Sequence, residues 1–259
     1  MQCSKKVLEM SKIAVITGSS GGIGRALVRT YLDDGYSVIG LDKAPGEYPV
    51  RASYVGIDVN LLQFSKDVSY RNDVLSKIKD HLPNNPKKFV VINNAAEQIL
   101  KSVSELEWED WDNSLGVNTV APFFLVQGLI EELKLSNGHV VNVSSIHAKL
   151  TKPQFTCYAA SKAALESLTR SLAIELSPLG ISVNAFAPAA IATEMLKASF
   201  RRSPDKLKQL KEYHPSASIG LPEDLANFIK VTTDQKSRFL TGAVLEFNGG
   251  IAGKLHDPG

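Results

Sequence analysis

Little in this 259-residue sequence is in excess, and several things are scarce. The two cysteines, Cys3 and Cys157, lie far apart without C-x-x-C spacing. That excludes a disulfide framework and a cysteine-ligated zinc site, and it fits a reducing compartment. No metal is expected. Neither sign of charge dominates, since 29 Lys and Arg against 27 Asp and Glu leave a net +2. So small an excess makes no global field for nucleic acid and no acidic tail. Long apolar runs are missing as well. The longest uncharged stretch, 113–130, is interrupted by Asn113, Ser114, Asn118, Thr119, Pro122 and Gln127. A membrane span needs about 20 mostly apolar residues, so this stretch reads as a buried helix. The opening residues MQCSKKVLEMSK hold no apolar core of signal-peptide length. Internal repeats and linkers rich in Pro, Gly or Ser are also absent. These absences predict a soluble, cytoplasmic chain with no membrane or nucleic-acid partner. Its 44% hydrophobic and 22% charged residues are ordinary for a globular protein.

What is present alternates. Short apolar, β-branched runs at 12–17, 37–41, 53–57, 89–92, 139–143, 181–185 and 244–247 are separated by longer amphipathic segments. Helical segments are expected at 25–34, stopped by Gly35, and around 61–80 and 107–134. Strands that are apolar throughout indicate a sheet covered on both faces. Strand–helix alternation indicates parallel βαβ units. The expected fold is one α/β domain, a Rossmann-type doubly wound sheet of about seven strands, with its core over about 11–251.

Gly18, Gly22 and Gly24, with Ser20 and Ile23 between them, lie where the first strand gives way to the first helix. A tight strand-to-helix turn without side chains lets a pyrophosphate approach the backbone, and the helix start offers free N–H groups. The G-x-x-x-G-x-G spacing differs from the common G-x-G-x-x-G fingerprint and lacks the Gly-Lys-Ser/Thr ending of a nucleoside-triphosphate loop. Glycine-rich turns also close ordinary βα units. Asp42 ends the second strand eighteen residues after Gly24. A carboxylate there accepts hydrogen bonds from adenosine ribose hydroxyls and repels a 2′-phosphate, which favours NAD over NADP. Lys43, next along, is a cation able to pair with a 2′-phosphate and keeps NADP open.

Tyr158 and Lys162 sit four residues apart at the start of a helical run. That spacing puts both on one helix face. An ammonium beside a phenol is expected to lower the phenol's pKa, making a general acid/base for hydride transfer to or from a carbonyl. Ser145 ends the fifth strand thirteen residues earlier. In an open parallel sheet, ligands bind at the carboxyl ends of strands, so Asp42, Asn94 and Ser145 are expected to face one crevice.

The glycine loop Thr17–Gly24, Asp58-Val59, Asn93-Asn-Ala-Ala96, Asn118, Ser145 and Tyr158-x-x-x-Lys162 together resemble the short-chain dehydrogenase/reductase family, over about residues 11–251. The resemblance implies a role for each matching position. Tyr158 would be the acid/base, and Lys162 would bind the nicotinamide ribose and lower the tyrosine pKa. Ser145 would hydrogen-bond the reacting oxygen, and Asn118 would hold a relay water. Asp58 and Val59 would meet the adenine, and Asn94 and Ala95 would lie along the cofactor. Pro188, Ile191 and Thr193 would line the nicotinamide carboxamide. Ala96, Ala189 and Asn248 depart from the family's usual Gly, Gly and Asp, and the two added methyl groups are expected to narrow the pocket or shift backbone. The resemblance also implies a homotetramer or homodimer, built on the helices around 116–134 and 162–176.

The expected substrate-facing positions are polar: Gln98, His147 and Gln154, beside Ser145 and Tyr158. Gln98 and His147 match carboxylate-binding positions of the family's 3-hydroxybutyrate dehydrogenases, but Phe155 stands where those enzymes place a lysine. A mobile lid is expected over about 194–216. Its stretch 194–214 carries six cations (Lys197, Arg201, Arg202, Lys206, Lys208, Lys211) against Glu194, Asp205 and Glu212. These features suggest an NAD-dependent oxidoreductase acting on a hydroxy acid or a sugar/polyol. Two other readings stand beside it. One is an NADPH-dependent 3-oxoacyl-carrier-protein reductase, opposed by Asp42 and by Ile174 where such enzymes carry an arginine. The other is a non-catalytic nucleotide sensor or scaffold.

Overall fold

The computed structural model describes residues 12–44, 46, 53–201, 203–235 and 238–254. Cys3, the opening segment and Arg202 lie outside them. The apolar runs form β1 (Lys12–Thr17), β2 (Ser37–Asp42), β3 (Tyr54–Asp58), β4 (Lys88–Asn93), β5 (His139–Val143), β6 (Ser182–Pro188) and β7 (Val244–Phe247). All pair in parallel, in the order β3-β2-β1-β4-β5-β6-β7. The sixth strand runs past the expected Ala185 because Phe186, Ala187 and Pro188 pair with Leu245, Glu246 and Phe247.

Helices α1 (Gly22–Asp33), α2 (Leu61–Lys66), α3 (Val68–Lys79), α4 (Trp108–Leu115), α5 (Ala121–Gly128), α6 (Ile130–Ser136), α7 (Thr156–Leu176), α8 (Glu194–Ser199), α9 (Pro204–Tyr213) and α10 (Pro222–Asp234) connect the strands. Strand side chains alternate between faces. Ile13 and Val15 of β1 join a core with Ile78, Leu125 and Leu172 from α3, α5 and α7. Ala14 and Ile16 join the opposite core with Leu27 and Tyr31 of α1 and Leu225 and Ile229 of α10. Burial on both faces is why these strands are apolar at consecutive positions.

Two expected helices are interrupted. The segment 61–80 breaks at Asp67, whose carboxylate accepts from the Tyr70 N–H (3.0 Å) and so starts α3 afresh. The segment 107–134 loosens into a π turn at Gly116–Val120, restarts at α5 and breaks again at Leu129. The π turn holds Asn118, and its position bears on the site below.

Candidate active site

Because every strand is parallel, the carboxyl ends of β1, β2, β4, β5 and β6 open on one edge of the sheet. They carry Gly18, Asp42, Asn94, Ser145 and Pro188 there. The strand order reverses between β1 and β4, the switch point at which α/β sheets form a crevice.

The glycine loop lies at that point. Gly18 adopts φ +64°, and a β-carbon on it would sit 2.8 Å from Ala95 Cα; one on Gly24 would come within 1.9 Å of Gly18 O. Thr17 and Asn94 tie the loop to the β4 end. Thr17 Oγ1 accepts from the Asn94 and Ala95 N–H groups (both 3.0 Å), and Asn94 Nδ2 donates to Thr17 O and Gly18 O (3.0 and 3.1 Å). On the other side the Ser20 N–H donates to Asp42 Oδ2 (2.9 Å), and Ser20 Oγ donates to Ala44 O (2.8 Å). Asp58 is the cross-strand neighbour of Asp42, so two carboxylates stand side by side. Val59 and Ile191 are buried in the fold. Gly22 begins α1, half-buried Ile23 follows it, and no side chain caps the helix start. A cavity of about 250 Å³ opens there, walled by Gly22, Arg25, Thr193 and Lys197 among others. Thr193 Oγ1 accepts from the Leu196 N–H (3.2 Å) and starts α8.

Tyr158, Lys162, Ser145 and Asn118 come together beneath the same edge, and all four are buried. Lys162 Nζ donates to Val143 O (2.7 Å) at the end of β5 and stands 5.7 Å from the Tyr158 ring centre. The expected charge effect does not appear in this arrangement. Burial raises the Tyr158 phenol above its ordinary value, with Ser145 alone pulling it back. Burial also holds the Lys162 amine down to about 7. In the free protein burial, not the Lys162 charge, therefore sets the direction of the Tyr158 shift.

Asn118 is equally occupied. Its Oδ1 accepts from the Glu97 N–H (2.7 Å), while its Nδ2 donates to Glu97 O and Ser161 Oγ (both 2.9 Å). The π turn aims this amide across to α7 and to the loop after β4. Ser145 Oγ accepts from the His147 N–H (3.2 Å).

The predicted substrate positions differ in exposure. The His147 ring stacks on Phe155 (4.2 Å, planes 14° apart) and lies edge-on to Tyr158 at 6.0 Å. Gln98 is exposed. Gln154 is exposed too, in the left-handed region at φ +73°, and its carbonyl accepts from the Lys101 N–H (3.2 Å). Of the three departures from the family pattern, none sits at positive φ. Ala96 is exposed. Asn248 Oδ1 accepts from the Gly250 N–H (2.9 Å), the turn-closing task an aspartate also performs.

Sequence reasoning missed Ser161 as the partner of Asn118, and it assigned no contact to Thr17 or Phe155. Thr17 was visible as the last residue of an apolar strand and the first of the glycine loop, without its ties to Asn94 and Ala95. A polar residue aimed at its neighbours' backbone is the signal that was there to follow.

An α/β crevice with a glycine turn at its switch point and a buried Tyr–Lys pair defines an oxidoreductase architecture. The family model for short chain dehydrogenases matches residues 12–204. An uncharacterised oxidoreductase of Thermotoga maritima is 32% identical over 250 residues, 94% of this chain and 97% of that protein. A 3-oxoacyl-[acyl-carrier-protein] reductase of Staphylococcus aureus is 29% identical over 94% of this chain and 99% of its own. Among solved structures, 4-hydroxyisoleucine dehydrogenase complexed with NADH superposes with a TM-score of 0.84 at 25% identity, covering 94% of this chain and all of that one. A mutant of the same dehydrogenase, 26% identical, is complexed with NADH and succinate. The chain belongs to the short-chain dehydrogenase/reductase family of nicotinamide-cofactor oxidoreductases. Among the described residues, no helix is long and apolar enough to cross a membrane.

Proposed function

We propose that the chain is an NAD-dependent dehydrogenase acting on the CH–OH or C=O group of a small polar substrate, a hydroxy acid or a sugar/polyol. The observation that carries this reading is the convergence of Tyr158, Lys162, Ser145 and Asn118 beside an uncapped helix start and a glycine turn. The residues suit the dinucleotide. Gly18 and Ser20 shape the turn, while Gly22, Ile23 and Gly24 leave the N–H groups of the α1 start for the pyrophosphate, and Arg25 and Arg29 stand on the adjoining cavity wall. Asp42 and Asp58, paired across β2 and β3, receive the adenosine and repel a 2′-phosphate. Asn94, Ala95, Pro188, Ile191 and Thr193 take the nicotinamide half. Bound NAD would supply the hydride acceptor.

Tyr158 exchanges the proton of the substrate oxygen, and the Ser145 hydroxyl hydrogen-bonds that oxygen as its charge develops. Lys162 binds the ribose. Because the Asn118 amide is engaged by Glu97 and Ser161, a relay water falls to its main chain. His147, Gln98 and Gln154 face the substrate. The test is Tyr158→Phe against a panel of hydroxy acids, sugars and polyols with NAD and NADP. It should lose turnover by about 10²–10⁴-fold while NADH binding persists.

The carrier-protein reductase reading draws on the Staphylococcus aureus relative; a preference for NADPH and a 3-oxoacyl thioester would establish it. Wild-type inertness toward the whole panel would favour the sensor. We assign the chain to the cytoplasm as a homotetramer or homodimer built on α5 and α7, where Ile174 is 77% exposed. Leu165 and Leu172 are already buried within the fold, so they do not argue for that interface. Light scattering at the monomer mass would refute assembly.

A further inference from the structure

The end of β5 is joined to α7 by two side-chain rungs. Tyr158, Lys162 and Glu166 recur every four residues along α7, which puts them on one side of the helix. Lys162 Nζ donates to Val143 O (2.7 Å), the last carbonyl of β5. One helical turn further on, Glu166 Oε1 accepts from Ser144 Oγ (2.9 Å). Ser145 comes next in the chain. Val143 and Ser144 thus meet Lys162 and Glu166 in turn, directly before the serine of the site.

Glu166 is a costly choice for this position. It is 6% exposed and Ser144 is 3% exposed, and burying a carboxylate is unfavourable unless it is paired. Lys149, on the wall of the same cavity, pairs with Glu246 instead (2.6 Å). Among the described residues Glu166 makes no ion pair, and its hydrogen bond comes from Ser144. The cavity that Glu166 and Ser145 share has a volume of about 10 Å³, room for one water and too little for a substrate. Glu166 therefore acts on the strand end, not on a ligand. The Ser144 N–H is already fixed to Phe186 O of β6 (2.7 Å), so this residue is held by its backbone from the sheet and by its hydroxyl from the helix.

We propose that Glu166 is a positioning residue that, through the Ser144 hydroxyl, fixes the end of β5 and so the Ser145 hydroxyl against the α7 face carrying Tyr158. This rests on the dehydrogenase reading, in which Ser145 and Tyr158 share the reacting oxygen. On that reading Lys162 also serves the ribose, so its rung to Val143 is shared with the cofactor. The Glu166 rung is not shared, and it keeps the strand end in register through turnover. What the contact requires is a lone pair at the Ser144 hydroxyl, which an amide oxygen supplies as a carboxylate does.

The experiment measures Ser144→Ala, Glu166→Met, their double variant and Glu166→Gln on a substrate from the panel of hydroxy acids, sugars and polyols. Rates are expressed per NADH-binding site from fluorescence titration, so that misfolded protein does not enter them. Ser144→Ala and Glu166→Met should each lower kcat by about 10–10²-fold and leave KM for NAD and for substrate within about twofold. The double variant should lose no more than the slower single one, because both substitutions remove the same contact. Glu166→Gln, whose amide oxygen still accepts from Ser144, should recover most of the loss. Additive losses, Glu166→Gln as slow as Glu166→Met, a loss carried by KM with kcat kept, or unchanged kinetics in both single variants would each overturn the proposal and leave the dehydrogenase reading standing. If Glu166→Met yields no protein that binds NADH, Ser144→Ala decides, and a kcat within about twofold of wild type overturns the proposal. Wild-type inertness toward the whole panel refutes the dehydrogenase reading itself, and this role with it.

Discussion

Replacing Lys162 with methionine should make the free protein more stable at neutral pH while abolishing its chemistry. The amine is buried, and its pKa is held at about 7 against an ordinary 10.5. Between those values the unfolded chain binds a proton that the folded chain does not, so stability rises with pH across that window. Linkage puts the penalty at about 4 kcal/mol at pH 7 and about 2 kcal/mol at pH 9, vanishing above pH 10.5. Against it stands the Nζ–Val143 O hydrogen bond (2.7 Å), whose loss leaves a buried carbonyl unpaired. That loss costs about 1–3 kcal/mol at every pH. Lys162→Met should therefore gain about 1–3 kcal/mol at pH 7, break even near pH 9 and lose stability above it. Urea unfolding of the two proteins at pH 7, 9 and 10.5 measures the difference. A variant less stable than wild type at pH 7, or a difference independent of pH, would refute the premise that burial suppresses this charge.

Three further outcomes test the frame around it. Gly24→Ala would put a β-carbon 1.9 Å from Gly18 O; stability should fall by about 2 kcal/mol in urea unfolding, and NADH fluorescence titration should detect no binding. Asp42→Ala removes the carboxylate that accepts from the Ser20 N–H. It should weaken NAD by about tenfold or more in kcat/KM and leave NADP unchanged or improved. Lys230 is nearly buried on α10 and bridges Asp34 (2.8 Å) and Asp234. The Lys230 ammonium lowers the Asp34 pKa; at Asp234 burial opposes the shift, but Lys230 and Lys88 outweigh it. Both carboxylates thus contribute stability above their unfolded pKa, lost as pH falls through the folded values. Lys230→Met should cost about 1–3 kcal/mol at pH 7 in urea unfolding, discounted for the half-exposed aspartates, and the deficit should shrink below pH 4.

The strands were legible because burial on both faces leaves a run such as Phe89–Ile92 little choice but Val, Ile and Phe. The helix interruptions were not. Asp67 reads like any surface aspartate until its carboxylate is seen capping α3. Nothing in Gly116–Val120 marks a π turn, because what organises it is the Asn118 contact with Ser161, 43 positions away. Residue types carried the site's chemistry. Tyr158, Lys162 and Ser145 were found by spacing, which a helix and a strand end convert directly into proximity.

Electrostatics was the part that spacing left out, and it bears on the acid/base role proposed for the tyrosine. The i, i+4 pairing predicts a charged lysine beside a phenolate, but α7 buries both side chains under the β5 carbonyl edge. Burial penalises either charge, raising the phenol and lowering the amine, so both groups favour their neutral forms. On the proposed dehydrogenase reading, the free protein is therefore poised as an acid, suited to giving a proton to the oxygen of a carbonyl as it is reduced. To act as a base, the pair must gain polar contacts that the protein alone does not supply. Ribose hydroxyls against Lys162 and a substrate oxygen against Ser145 are such contacts. On that account carbinol oxidation by the bound enzyme should show an apparent pKa below that of Tyr158 in the free protein. Tyrosine absorbance titrated with and without NADH measures the gap, and coincident curves would mean that Lys162 does nothing for the phenol.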